Sequence, residues 1–247
     1  MAHSEDFIFG VRTVSEAIQS GKEIHKVLLK KGGRSENMAA LLELIHYRDI
    51  PFQYVPEEKL NGLTRKNHQG VIAFLSAVEY QDITKLLPML FEEGRVPILL
   101  ILDNVTDVRN FGSIARSAEC AGADAIVIPV KGSAQITSDA LKTSAGALNY
   151  IPVCRTFHLK ETVSYLKESG LQIIAATEKG SQPYYKADLT CPTAIILGAE
   201  DVGISPELLR MTETWISIPM AGNIASLNVS VAAGILLFET RRQRAEI

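Results

Sequence analysis

The stretch PILLILDNVTDVRNFGSIARSAECAGADAIVIPV, residues 97–130, reads as one strand-helix-strand unit. Its two ends are runs of Val, Ile and Leu with no polar face, the pattern of strands buried on both sides. The middle, from about Asn110 to Ala121, carries small and apolar residues at helical spacing. The alternation continues downstream with a helix near Thr137–Ala145, the strand NYIPVCR, a helix near Leu159–Ser169, and the strands LQIIAAT and TAIILG. A short helix after Ser205, the strand WISIP and a long final helix from about Ser226 complete it. Continuous apolar strands alternating with helices predict an α/β fold with a parallel sheet covered on both faces.

Upstream of that stretch, residues 7–78 predict a smaller α/β unit. Val14, Ala17 and Ile18 line one face of a helix from Val11 to Ile18, with Gly21 as a stop, and the strand HKVLLKK leads to a Gly32-Gly33 turn. Ser35 is placed to cap a helix with the stripe Met38, Leu41, Leu42 and Ile45, and PFQYV and GVIAFLSAV read as further strands. The chain is therefore read as a small domain over 1–80, a linker and first helix over 81–96 containing Pro88 and Gly94, and a larger domain over 97–247.

Composition narrows the possible functions. A net charge of −3, with ten Lys and Arg against ten Asp and Glu in residues 1–80, excludes a uniformly basic coat. Nucleic-acid binding would have to rest on local patches. Cys120, Cys154 and Cys191 are far apart and form no Cys-x-x-Cys pair, so free thiols in a reducing compartment are expected. The start MAHSEDFIFG lacks a basic segment followed by an apolar one, and the longest apolar runs are too short to cross a bilayer. The expected location is the cytoplasm.

Ligands of doubly covered parallel sheets sit beyond the carboxyl ends of the strands, which directs attention to three polar loops. The first opens DNVTDVRNFGSIARSAECAGA (103–123) with Asp103, Asn104, Asp107, Arg109 and Asn110, and its helix carries one cation, Arg116, among small residues. Read alone, Asn110 is equally a helix cap, Gly112 a packing residue and Arg116 the partner of a nearby acid. The second, LGAEDVGIS (197–205), brackets Glu200 with Gly198 and Gly203, residues that permit close backbone approach. The third, IPMAGNIASLNVSVAAGILLFE (218–239), feeds small residues into a helix start containing Ser226 and Asn228. The dinucleotide pattern G-x-G-x-x-G follows no strand, which weighs against a nicotinamide oxidoreductase.

Taken together, Asn110–Arg116, Gly198–Gly203 and Ser226-Leu-Asn-Val-Ser-Val-Ala-Ala-Gly-Ile resemble the three motifs of the SpoU, or TrmH-like, RNA ribose methyltransferases of the SPOUT superfamily. KTSAGAL (142–148) resembles the family's connecting region, and IFGVRTVSEAI with NHQGVIAF resembles its N-terminal substrate-binding domain, a fold like ribosomal protein L30e. One departure stands out: most relatives have Asp-Pro before the first-motif Asn, where this chain has Asp107-Val108-Arg109.

The resemblance implies an L30e-like domain followed by a parallel-sheet α/β domain with a trefoil knot, and a homodimer with its active sites at the subunit interface. It implies S-adenosyl-L-methionine as cofactor, no metal, and methyl transfer to a ribose 2'-hydroxyl, most similar to the enzymes acting on a guanosine of 23S ribosomal RNA. The implied catalytic group is Arg116 with Asn110, Glu200, Ser226 and Asn228. The implied cofactor cradle is Gly198, Glu200, Gly203, Ile218, Met220, Ser226 and Leu227. Arg12, Lys30, Lys31, Arg34, Arg65, Lys66 and His68 are the expected RNA contacts of the N-terminal domain. Methylation of transfer RNA and a non-catalytic RNA-binding protein of the same fold remain the alternatives.

Overall fold

The computed structural model describes residues 7–32 and 35–245. Gly33 of the expected turn and Arg34 of the expected RNA contacts lie outside the described residues. The chain divides into two compact units, one running to Glu79 and taking in Gln135–Ser138, the other made of the remainder from Tyr80 onward.

The first unit contains β1 (Phe7–Phe9), α1 (Val11–Gln19), β2 (Ile24–Lys30), α2 (Glu36–Tyr47), β3 (Phe52–Val55), α3 (Glu57–Leu63) and β4 (Val71–Leu75). Its sheet runs β1-β4-β2-β3, with β4 antiparallel to both neighbours and β3 parallel to β2. Because side chains alternate along a strand, Val27, Leu29, Val71 and Ala73 meet α1 and α2 through Val14, Ile18, Leu41 and Ile45. Leu28, Ile72 and Phe74 cluster instead with Leu60 of α3. Ser35 caps α2 as expected, its Oγ accepting from Met38 N at 3.2 Å. The helix α3 escapes sequence reading because Leu60 is its only buried residue, so no apolar stripe marks it.

One expected RNA contact is corrected here. His68 is 5% exposed. Its Nδ1 accepts from Gly70 N at 3.0 Å, which leaves Nε2 to donate to Asn61 Oδ1 at 3.0 Å. With both ring nitrogens engaged it braces the 64–70 loop, in which Gln69, at φ +52°, caps α1 by accepting from Val11 N at 3.0 Å.

The second unit contains β5 (Tyr80–Gln81), α4 (Ile83–Glu92), β6 (Ile98–Asp103), α5 (Val108–Cys120), β7 (Ala125–Pro129), α6 (Ser138–Thr143), β8 (Val153–Thr156), α7 (Leu159–Glu168), β9 (Gln172–Ala176), β10 (Gln182–Pro183), β11 (Thr193–Gly198), α8 (Pro206–Met211), β12 (Thr214–Ser217) and α9 (Val229–Ala245). The strands form one sheet in the order β10-β12-β9-β11-β6-β7-β8-β5, and every pairing in it is parallel. Leu99, Ile101, Ile173 and Ile196 share one core with Leu87 of α4, Val163 of α7 and Leu208 of α8. The alternate positions, such as Leu100 and Leu102, point to the opposite face, and α5 and α9 pack against each other. Gly112 allows α5 to approach α6, since a Cβ there would sit 2.7 Å from Thr143 Cβ.

Pro88 lies inside α4 without breaking it. Proline has no amide to bond the carbonyl one turn back, and that carbonyl, Thr84 O, accepts instead from Tyr165 Oη at 3.4 Å. The final helix starts at Val229 and not near Ser226, because Asn228 stands outside the helical turn and its Oδ1 accepts from Ser230 N at 3.0 Å. Among the described residues, no helix is long and apolar enough to cross a membrane.

The far end of α9 ties the sheet together. Arg244 donates to the carbonyls of Leu189 at 3.0 Å, Cys191 at 2.6 Å, and Val96. These carbonyls precede β11 and β6 at their amino ends. Beside them the Asp124 carboxylate accepts from Ile98 N at 2.7 Å and pairs with Arg95 at 2.5 Å; burial nevertheless pushes its pKa up. Arg244→Ala leaves several carbonyls without their charged donor and is expected to cost about 1.5–3 kcal/mol. Urea unfolding checks this, and an unchanged midpoint would contradict the staple.

Candidate active site

The carboxyl ends of β9, β11 and β12 open onto a cavity of about 460 Å³. The loop after β11 forms its rim. Gly198 and Gly203 are in such close contact that a Cβ on Gly198 would lie 2.1 Å from the Gly203 carbonyl carbon, and Gly203 adopts φ +69°. Gly203 N donates to Ala199 O at 2.8 Å, closing a tight hairpin with Glu200 near its tip. Both glycines are therefore structural requirements, one for space and one for conformation.

Glu200 reaches across two other segments. Its Oε1 accepts from Asn110 Nδ2 at 2.9 Å, Asn228 Nδ2 at 2.5 Å and Val229 N at 3.3 Å. Asn228 Nδ2 also donates to Asn110 Oδ1 at 2.9 Å, closing a triangle of three side chains. A carboxylate at Val229 N sits at the first turn of α9, where helix donors lack internal partners and the helix dipole favours negative charge.

Asn110 is presented by the first turn of α5. The cap of that helix is Asp107, whose Oδ1 accepts from Arg109 N and Asn110 N at 2.8 Å each, so Asn110 is free to bond across the site. On the other side of the glycine hairpin, buried Asp103 at the end of β6 accepts from Ser205 N at 2.7 Å. Asp103 thereby anchors the hairpin's exit to the sheet.

Gly198, Glu200, Gly203, Ile218, Met220, Ser226 and Leu227, the seven residues expected in the cofactor cradle, all line the cavity. Asn110 and Asn228 join it through Glu200. Arg116 does not line the cavity. It is exposed on α5, six residues beyond Asn110 and so about two-thirds of a turn around the helix from it. Arg116 forms no hydrogen bond or ion pair among the described residues. Sequence reasoning missed Thr177, Glu178 and Lys179, which supply another wall, and Ala232 and Leu236 of α9, which floor it. The loop after LQIIAAT obeys the same strand-end rule as the other three and could have been found by it.

Of the expected RNA contacts, Arg12 pairs with Glu16 at 2.9 Å one helical turn away, and Lys30 with Glu57 at 2.5 Å. Lys31, Arg65 and Lys66 are exposed and form no ion pair among the described residues.

A doubly covered parallel sheet, a glycine hairpin clamped through one glutamate to two asparagines, and a small apolar-floored cavity define an α/β protein with a candidate site beyond the carboxyl ends of its strands. The chain belongs to the SpoU family of RNA methylases: residues 97–238 match the SpoU rRNA methylase family and residues 7–81 match the RNA 2'-O-ribose methyltransferase substrate-binding domain. It is 33% identical over 244 residues to the TrmH family tRNA/rRNA methyltransferase YacO of Bacillus subtilis, covering 99% of this chain and 98% of that one. A TrmH family tRNA/rRNA methyltransferase of Staphylococcus saprophyticus is 35% identical over 240 residues, covering 97% and 96%. Among solved structures, the SpoU methyltransferase AviRb of Streptomyces viridochromogenes, in complex with AdoMet, shares the fold with a TM-score of 0.62 at 24% identity, covering 98% of this chain and 91% of that one.

Two expectations follow from the geometry. Glu200→Ala removes the acceptor of Val229 N, and amide hydrogen exchange at Val229 should accelerate about tenfold or more; unchanged protection would show the clamp is not needed to hold the start of α9. Val108 occupies the first position of α5, where proline is favoured, and Asp107 before it, at ψ 123°, already has the extended backbone that proline demands. Val108→Pro is therefore expected to raise stability by about 0.4–1 kcal/mol, read as a higher thermal midpoint.

Proposed function

We propose that this protein transfers a methyl group from S-adenosyl-L-methionine to a ribose 2'-hydroxyl of RNA. The observation that carries the reading is the triangle of Asn110, Glu200 and Asn228 at the rim of a cavity lined by every residue of the expected cradle. The cavity suits such a cofactor: its volume of about 460 Å³ is typical of small-molecule sites. Its floor is apolar at Leu227, Ala232 and Leu236, and its rim at Gly198 has no room for a side chain.

Gly198, Ile218, Met220 and Leu227 would hold the cofactor, with no side chain at Gly198 to obstruct it. When bound, the cofactor supplies a methyl group already activated by a cationic sulfur. The protein's share of the work is alignment and help with proton loss. Glu200 holds Asn110 and Asn228 in fixed positions, and Ser226 adds a hydroxyl at the cavity edge, so that the ribose meets a preformed polar frame. A guanidinium offers hydrogen-bond donors and no acceptor, which makes Arg116 a poor general base. Its role is to hold a substrate phosphate and stabilise the alkoxide that develops at the 2'-oxygen, the proton leaving to phosphate or water.

The active assembly is a homodimer. Arg116 stands outside the cavity of its own chain, and α9 exposes Val231 at 49% and Phe238 at 52%, one helical face spaced seven residues apart. Packing this face against a second copy supports the placement of Arg116 at a site completed between subunits. The folding of residues 218–228 back onto the 198–203 hairpin supports the knotted connection that the family resemblance implies.

The acceptor is a guanosine of 23S ribosomal RNA, a reading supported by the match to the SpoU rRNA methylase family and by the two-domain layout. Transfer RNA is the second reading, favoured by the tRNA/rRNA wording of the relatives' names. The protein works in the cytoplasm, in keeping with three free thiols, of which the Cys154 thiol is pushed up to about 12 by burial and stays inert.

Arg116→Ala should lower the transfer rate by at least about a hundredfold while calorimetry shows cofactor affinity unchanged. A variant that methylates bound RNA at the normal rate would remove Arg116 from the mechanism. Mapping of 2'-O-methylation in total RNA from cells with and without the protein would identify the nucleotide, and an unchanged map would refute the activity.

A further inference from the structure

We infer that the α3 face of the small domain's sheet is a binding surface for unpaired RNA, with Phe7 and Phe9 as the stacking platform and Lys26, Lys59 and Lys66 as the phosphate contacts. This rests on the reading of the chain as an RNA-modifying protein; Lys66 is already among the expected RNA contacts, whereas Phe7, Phe9, Lys26 and Lys59 are not singled out by sequence inspection.

The face is set by register. Phe7 pairs with Phe74, and Phe74 with Lys26, in one row across β1, β4 and β2; Phe9, Ile72 and Leu28 form the next row. Alternation along each strand places these six side chains on the same side of the sheet. The seven-residue α3 covers the second row through Leu60, while Phe7 and Phe9 stay only partly buried. The rings form a continuous group, Phe7 lying 6.0 Å from Phe74 and 6.4 Å from Phe9 between centroids.

Cations sit on these rings. Lys26 Nζ lies 5.3 Å from the centroid of Phe74, and Lys66 Nζ 5.9 Å from that of Phe9, within the range of cation–π attraction. Lys59, exposed on α3, is close enough to Lys26 that the two repel; burial first and Lys59 second hold the Lys26 ammonium below its ordinary pKa. Lys26, Lys59 and Lys66 form no ion pair among the described residues, and Glu57 on the same helix is engaged by Lys30. Holding unpaired ammonium groups together over aromatic rings costs free energy that a chain of net charge −3 could have avoided with one acid. A polyanion carrying flat bases relieves the repulsion and uses the rings, which is the pattern of single-stranded nucleic-acid recognition. Base-paired RNA keeps its bases stacked inside and would use the lysines alone.

The test is fluorescence anisotropy with a fluorescein-labelled single-stranded RNA of mixed sequence, over a salt series, on the full-length protein. Replacing Lys26, Lys59 and Lys66 together by Gln should weaken binding at least about tenfold and flatten the slope of log affinity against log salt by about two, at roughly 0.7 per phosphate contact. Phe7→Leu keeps the apolar packing but loses the ring; it should weaken single-strand binding about fivefold or more, leave the salt slope unchanged and leave duplex binding intact. Lys59→Glu, on an exposed helix position, serves if the triple variant does not fold, and calorimetry with S-adenosylmethionine confirms that each variant is intact. Wild-type affinity and slope in the lysine variants would overturn the assignment while leaving the RNA reading in place. A wild-type protein that binds no RNA would overturn both. One that binds phosphatidylserine vesicles in preference to RNA would assign the face to a lipid surface and overturn it as well.

Discussion

The geometry of the site depends on a single carboxylate oxygen. Glu200 Oε1 gathers donors from Asn110, Asn228 and Val229, residues that lie 90, 28 and 29 positions away along the chain. Each donor belongs to the start of a helix, and helix starts have backbone groups in need of partners. One negative oxygen therefore satisfies several needs: it completes the first turn of α9, fixes the side chain that α5 presents, and pins the tip of its own hairpin. A neutral acceptor would bond more weakly, since hydrogen bonds to a charged group are roughly twice as strong as neutral ones.

That clamp has meaning only because the backbone beneath it is fixed. The hairpin from Gly198 to Gly203 has no space for a side chain at one end and a left-handed conformation at the other. Its entry is the end of a strand whose register with β6 runs from Thr193↔Ile98 to Gly198↔Asp103, and its exit is held by Asp103 through Ser205. Asp103 is thus the counterpart of Glu200: one acid holds the hairpin to the sheet, the other holds two helices to the hairpin. Packing in the buried strands positions Asp103, and the polar network transmits that position to the rim.

Much of this was legible in the sequence, and for physical reasons. Buried parallel strands are uniformly apolar, so PILLIL and TAIILG identify themselves, and strand-end loops containing glycine beside an acid or amide mark where backbone comes close to a ligand. Local chemistry was legible only by its type: read alone, Asn110 was equally a cap or a site residue, and it is Asp107, three positions earlier, that caps the helix because its side chain reaches the Arg109 and Asn110 amides. Helix α3 was illegible because one buried leucine makes no periodic signal, whereas the wall at Thr177–Lys179 directly follows a strand end and lay within reach of the same rule. The trio of Asn110, Glu200 and Asn228 followed from the motif resemblance; that they meet on one oxygen is a property of the fold.

The cations of the small domain show the sharpest limit of sequence reading. Arg12, Lys30 and Lys66 look alike in a sequence, yet the first two are in ion pairs within their own domain and the third lies over an aromatic ring. Exposed ion pairs contribute little to stability, about 0–1 kcal/mol, but they change what a charge offers to a ligand, because a paired lysine must give up its partner before it can take a phosphate. Lys26 and Lys59 are hidden for the opposite reason. One sits inside a strand and the other on a helix with no apolar stripe, and only the strand register and the placement of α3 bring them together. The charge of a short segment therefore says little about binding until pairing within the fold has removed the cations already engaged. What remains here is a small set of ammonium groups next to phenylalanine rings, and their chemistry differs from that of the salt-bridged surface around them in being both uncompensated and aligned with flat apolar groups.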